Sequence, residues 1–149
     1  MYDFQLHPRL DQDCFKVTTL PLCQLLMMND QQYPWFILVP QRPNIREIHQ
    51  LSVEDRYQLL SESCLLSEAL QTLYQPDKLN IAAIGNLVPQ LHIHHVARFQ
   101  HDAVWPAPIW GKLPPQPFAL EEAQLRINIL KNALKFCPKT NSLPQTDIP

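Results

Sequence analysis

The sequence predicts an α+β fold in which an antiparallel sheet is backed by two helices. Short apolar runs at 15–19, 22–28 and 35–39 are separated by turn-forming residues, the pattern of strands rather than helices. Two longer stretches, 52–73 and 119–136, repeat apolar residues at three- and four-residue spacing, as amphipathic helices do. Residues 88–99 alternate polar and apolar side chains over much of their length, the mark of a strand with two different faces.

Taken in order, residues 5–12 contain His7-Pro8-Arg9-Leu10 and form a short irregular or helical lead-in. The runs 15–19 and 22–28 are strands separated near Pro21. Asn29-Asp30-Gln31-Gln32 is a turn, and the continuous apolar run 35–39, ending at Pro40, is a central strand that makes an antiparallel hairpin with 22–28. Ser52-Val53-Glu54-Asp55 resembles a capping box with Asp55 in place of Glu or Gln. The helix that follows carries Val53, Leu59, Leu60, Leu66, Leu70 and Leu73 on its apolar stripe and closes at Pro76-Asp77. A short strand at 80–84 leads through Gly85-Asn86 into the strand 88–99. Residues 104–117 hold two tryptophans and five prolines, too broken for a regular element, yet Trp105, Ile109 and Trp110 give an ordered loop something to bury. The second helix turns Ala123, Ile127, Leu130 and Leu134 inward. Residues 1–137 are expected to make one domain and 138–149 a frayed tail.

Composition narrows the function. A chain of 149 residues with 46% hydrophobic content can bury a core without staples. Twelve basic residues stand against 14 acidic ones, with no basic stripe, which argues against a long nucleic-acid partner. The four cysteines, Cys14, Cys23, Cys64 and Cys137, form no CxxC pair and no disulfide framework. Free thiols, an N-terminus without a signal-peptide pattern and the lack of an 18-residue apolar segment make a cytoplasmic, non-membrane protein the expectation.

The chemistry centres on residues 90–98, which pack three of the six histidines into four positions. In a strand, Gln90, His92, His94 and Arg98 share one face, with the two imidazoles roughly 6–7 Å apart. That row suits a phosphate: an imidazole can attack phosphorus, and neighbouring donors can steady the phosphoryl oxygens. Arg98 reaches phosphate, reaches solvent or pairs with a carboxylate. His95 has the opposite parity and belongs with Ile93 and Ala97 in a structural role. His101 lines the site or sits in a surface loop.

At 79–98 the chain resembles the histidine triad family of nucleotide hydrolases and transferases, whose pattern is Gly-Gln-x-Val-x-His-x-His-x-His, two apolar residues, Pro and Arg. Gly85, Val88, His92, His94 and Arg98 match it; Asn86 stands for Gln, Ala97 for Pro, and Gln90 for the first histidine. Asn80 lies near the family's upstream asparagine, and Asn29-Asp30 before the run 35–40 look like its acidic turn. The likeness covers about 15–99, and the loop 104–117 resembles the Trp-Pro-rich end of a bacterial branch. It implies the family fold, a nucleotide or dinucleotide substrate, and a homodimer that needs no metal or organic cofactor. His92 would be the nucleophile toward the α-phosphorus of a nucleoside phosphoramidate or dinucleoside polyphosphate, with His94 on phosphate and Gln90 in the remaining catalytic position. Asn86 would contact phosphate or leaving group, Asp30 with Asn29 the ribose, and Asn80 and Arg98 would complete the substrate-binding set. An amide at position 90 cannot shuttle a proton near pH 7. If that limits the chain, Gln90→His should preserve or raise turnover. The alternatives are a catalytically weak nucleotide-binding protein and a metal enzyme built on His92-x-His94.

Overall fold

The structure, a computed structural model, describes residues 3–136, so Cys137 and the tail expected to fray lie outside the described residues. The element order is α1 (Pro8–Asp13), β1 (Cys14–Thr19), β2 (Cys23–Met28), β3 (Trp35–Pro40), α2 (Val53–Tyr74), β4 (Lys78–Ala82), β5 (Ile93–Arg98) and α3 (Leu120–Phe136), with a 3-10 turn at Ile48–Gln50. The five strands make one sheet in the order β1-β2-β3-β5-β4. Every neighbouring pair is antiparallel. The α+β expectation holds, and the hairpin β2–β3 shares its sheet with the histidine strand.

Alternation sorts the sheet into two faces. Leu25 and Met27 of β2, Phe36 and Leu38 of β3 and Ile93 of β5 pack in one cluster with Leu59, Leu66 and Leu70 of α2 and Ile127 and Leu130 of α3. Leu26, Ile37 and Val39 point the other way, onto Leu10 of α1 and onto Val88. Val96 continues that second face and meets Tyr33 and Ile109, so the proline-rich loop is folded down on the sheet. The second face is thus covered from two ends, by α1 and by residues 104–110.

Helix α2 departs from the predicted stripe. Leu59, Leu66 and Leu70 are buried, but Val53 and Leu60 are 55% and 62% exposed. The buried stripe instead includes Glu62, whose two carboxylate oxygens accept the backbone N–H groups of Leu22 (2.7 Å) and Cys23 (2.9 Å) at the β1–β2 turn. A periodicity count that admits only apolar residues misplaces the inward face by this one position. At the helix start the hydroxyl of Ser52 accepts from the backbone N–H of Asp55 (3.1 Å), while the Asp55 carboxylate turns to Arg42 in a bidentate pair at 2.7 and 2.8 Å. Only half of the predicted capping box therefore forms.

Strand β5 is shorter than the predicted 88–99, and β4 lies two residues earlier than the predicted 80–84. Pro89 has no N–H for a ladder, and Gly85 adopts a left-handed φ of 67° in the connection. Regular pairing starts only where β5 meets both β3 and β4. Cys14, Cys23 and Cys64 are free. Burial, with Asp13 and Asp11 nearby, pushes the Cys14 thiol up to about 12, and burial beside Glu62 raises Cys23 as well, so neither is a thiolate at neutral pH.

His95 faces the helices, as its parity predicts, and is fully buried. Its Nδ1 donates to the Ile93 carbonyl (3.1 Å), which leaves Nε2 to accept from the Ser63 hydroxyl (2.7 Å). Burial pushes its pKa down to about 4.

Two stability measurements follow. Glu62→Ala leaves two buried N–H groups without their acceptor and should cost about 2–4 kcal/mol in chemical denaturation. The unfolded His95 imidazole takes up a proton near its ordinary 6.5, whereas the folded one resists it until about 4. Stability should therefore hold above pH 6.5 and fall as pH drops toward 4. Denaturation midpoints across that range should shift downward with acid, and an unchanged midpoint would contradict the neutral assignment.

Candidate active site

The approach to β5 positions His92. The backbone N–H of Leu91 donates to the Ile45 carbonyl (2.9 Å), anchoring the segment just before the strand. His92 follows, and its Nδ1 lies 2.6 Å from the Gln90 carbonyl oxygen. A carbonyl only accepts, so Nδ1 carries the proton and Nε2 carries the lone pair. His94 is wired the opposite way. Trp35 Nε1, which only donates, is 2.9 Å from His94 Nδ1, so in the neutral ring Nε2 bears the hydrogen. The two rings stand 4.9 Å apart between centroids, edge to face. One ring offers a lone pair and the other a hydrogen at Nε2. Burial, reinforced by the charges of His92 and His95, pushes His94 down to about 3. Burial lowers His92 too, with His7 adding to the effect, although the hydrogen bond to the Gln90 carbonyl opposes it.

Both rings line a cavity of about 480 Å³. Its walls are Arg9, Leu10 and Asp13 of α1, Met28 and Trp35 of the hairpin, the turn 84–88, and Trp110 with Gly111 from the proline-rich loop. The volume falls in the range of small-molecule sites. His94 is flanked by two indoles, with Trp35 at 5.7 Å and Trp110 at 5.4 Å between centroids. A smaller cavity of about 160 Å³ meets His92 from the side of Arg46, Glu47 and Gln90.

The structure brings together three of the residues singled out by sequence at the main cavity: His92, His94 and Asn86. Gln90 lines the smaller cavity, and both ends of its side chain are bonded to the N-terminal segment: Oε1 accepts from the His7 backbone N–H and Nε2 donates to the Gln5 carbonyl, each at 2.9 Å. The other four have different employment. Arg98 is 1% exposed and pairs with Asp102 through two nitrogens at 2.7 and 3.0 Å. Its third contact is Asn80 Oδ1 at 2.8 Å, so Asn80 serves the guanidinium too. Four residues along a strand put Arg98 about 13 Å beyond His94, out of reach of one phosphate. Of the three roles open to Arg98, pairing with a carboxylate is the one observed.

Asn29 and Asp30 also turn away from the cavity. Asn29 Oδ1 accepts from the Phe118 backbone (2.8 Å), and Asp30 accepts from the backbone of Gln32 (3.0 Å) and of Gln116 (3.3 Å). They pin the segment before α3. His101 is exposed and stacks on Phe99. Sequence reasoning missed Arg9, Asp13 and Trp110 as cavity walls and read Trp35 as packing only. The signal for Trp35 lay in register: it faces Val96, which sets it diagonally beside His94 on the same side of the sheet.

No third ligand joins the two imidazoles, since no cluster of three or more His, Cys, Asp or Glu able to hold a metal occurs among the described residues. No helix among them is long and apolar enough to cross a membrane.

A family model described as the HIT domain matches residues 9–101. The chain belongs to the HIT family. Members of this family are in general nucleotide-binding hydrolases and transferases. A histidine triad protein from Marinobacter aquaeolei VT8 is 47% identical, with 90% of this chain and 98% of that one covered and a TM-score of 0.88. A histidine triad protein from Bradyrhizobium japonicum is 43% identical over 89% of this chain and 99% of its own, with a TM-score of 0.87. A histidine triad nucleotide-binding protein from Sulfolobus tokodaii shares the fold at 14% identity, with 82% and 84% covered and a TM-score of 0.63. None of the curated proteins compared matches the chain. His92 and His94, which meet at the cavity, lie within the family match, and the stretch 104–110 beside Arg98 lies past it.

The Trp35–His94 bond can be isolated. Trp35→Phe keeps an aromatic ring and removes the N–H that fixes the His94 tautomer. The loss of one neutral hydrogen bond should lower kcat/KM toward a nucleotide substrate by up to about tenfold. In nitrogen-15 spectra the His94 ring should become a mixture of tautomers, whereas an unchanged ring spectrum would show that Trp35 does not set it.

Proposed function

We propose that the protein is a nucleotidyl hydrolase or transferase acting at the α-phosphorus of a nucleoside phosphoramidate or dinucleoside polyphosphate. The observation that carries this reading is the opposed tautomers of His92 and His94 at one cavity. In the proposed reaction, His92 Nε2 attacks the α-phosphorus and forms a phosphorus–nitrogen bond as the bond to the leaving group breaks. His94 Nε2–H donates to a phosphoryl oxygen, where charge develops in the transition state. Water then attacks the nucleotidyl-histidine, releases the nucleoside monophosphate and restores the imidazole. Desolvation favours the uncharged ring of His92, so the nucleophile stays available somewhat below the ordinary histidine range.

Asp13 is the one carboxylate among the residues lining the cavity, so we assign ribose contact to it in place of Asp30. Arg9, its ion-pair partner at 2.7 Å, and Asn86 flank the phosphate path. The amide of Gln90 has no titratable proton to give a departing amine. A phosphate chain leaves as an anion and demands less, which favours dinucleoside polyphosphates over phosphoramidates.

A homodimer belongs to the same reading. Val53, Tyr57 and Leu60 are exposed on α2 at spacings of four and three, on one helix face, and β4 forms a free sheet edge. Sedimentation over a range of micromolar concentrations separates a dimer from a monomer.

The decisive experiment is intact-mass analysis after a rapid quench with a diadenosine polyphosphate. Wild type should gain the mass of one adenylyl group. His92→Ala should lose the adduct, with turnover reduced by at least about a thousandfold, as expected when a nucleophile is removed. Nucleotide binding without adduct or turnover in wild type would point to a binding protein, and full turnover in His92→Ala would end the covalent assignment.

A further inference from the structure

Residue 90 stands where the family resemblance places a histidine, and its chemistry is visible in its contacts. The side-chain amide grips the main chain on both sides of Leu6, accepting from the His7 N–H and donating to the Gln5 carbonyl. These bonds span 83 and 85 residues of sequence. Next in line, the His7 side chain caps α1: its Nδ1 accepts the Arg9 backbone N–H at 3.1 Å. Helix α1 then presents Arg9, Leu10 and Asp13 to the cavity, with Leu10 packed on Leu26, Ile37 and Val39 of the sheet. From the same residue, the main-chain carbonyl of Gln90 holds the His92 Nδ1–H.

From this chain of contacts we infer that Gln90 is a positioning residue, a clamp that fastens the N-terminal segment across the sheet so that α1 forms one wall of the nucleotide cavity. The side chain holds the wall and the carbonyl holds the nucleophile. Glutamine suits the task because one planar amide offers an acceptor and a donor side by side, the complement of a main-chain N–H and C=O bracketing a single residue. A histidine ring spreads its two nitrogens differently and cannot satisfy both partners from that position. The amide at 90 is therefore a requirement of this fold's N-terminus rather than a damaged catalytic residue.

This inference rests on the proposed nucleotide reading for its kinetic test and on the fold alone for its structural test. Gln90→Ala, Gln90→His and the near-isosteric Gln90→Glu are compared with wild type. Glutamate retains the acceptor for His7 N–H but cannot donate to the Gln5 carbonyl. The kinetic expectation is a rise in KM for a diadenosine polyphosphate of about tenfold or more in Gln90→Ala and Gln90→His, with a smaller rise in Gln90→Glu, and kcat within about threefold in each. The structural expectation is faster amide exchange across 7–13, by about tenfold or more, with protection in β3 and β5 unchanged. General destabilisation would instead raise exchange throughout. If Gln90→His raises kcat by more than about threefold, or if Gln90→Ala leaves both KM and the 7–13 amides as in wild type, the clamp is overturned. Should wild type show no turnover, the nucleotide reading falls by itself, and amide exchange still decides for or against the clamp.

Discussion

Strand β5 is hydrogen-bonded on both sides, by β3 and by β4, and all of its side chains are buried. Polar groups in such a position must find partners, because an unpaired one costs several times what a formed bond returns. Each imidazole in or beside this strand therefore has a ring nitrogen assigned by a neighbour: the Gln90 carbonyl for His92, the Trp35 indole for His94, and the Ile93 carbonyl with the Ser63 hydroxyl for His95. The same requirement that keeps the sheet intact also fixes tautomers. Alternation then decides their use. His94 faces the cavity and His95, one step on, faces α2, so two chemically identical side chains become a site residue and a core residue.

What the sequence disclosed follows from the range of the forces involved. The strand period separating His94 from His95, the apolar run of β3 and the inward face of α3 are local patterns, legible from neighbours a few residues apart. Contacts between distant segments are not. Gln90 meets His7, Trp35 meets His94 and Asp30 meets Gln116 across separations of 83, 59 and 86 residues. The misplaced stripe of α2 has a related cause, since the partners of Glu62 lie on a turn about 40 positions upstream. Arg98 differs. Its partner Asp102 is four residues away, and pairing with a carboxylate was among the roles that the sequence left open.

Among the described residues, the face of the sheet that carries the cavity has no helix of its own length to cover it. Short α1 closes one part and the loop 104–110 another, and each is fastened by polar side chains that sequence logic would give to a ligand. Gln90 fastens the first through His7. Arg98, Asp102 and Asn80 underpin the second, with the guanidinium 5.7 Å from the Trp105 ring centre and 6.0 Å from that of Tyr33. Asn29 and Asp30 hold the segment that leads on to α3. Much of the motif thus builds the walls, and the gap left between the walls is the cavity.

Burial acts on His92 in two opposed directions. Removing water from His92 favours its neutral form, which keeps the lone pair on Nε2 free at neutral pH and below. The same desolvation weakens the ring as a base. In the proposed reaction the Gln90 carbonyl would offset this loss: positive charge building on His92 would make the Nδ1–H bond at 2.6 Å charge-assisted and strengthen it. The Leu91 N–H bond to Ile45 anchors the main chain beside residue 90, while the amide of residue 90 grips residues 5–7. The N-terminal segment and His92 are in this way joined through one residue, the first by its side chain and the second by its carbonyl.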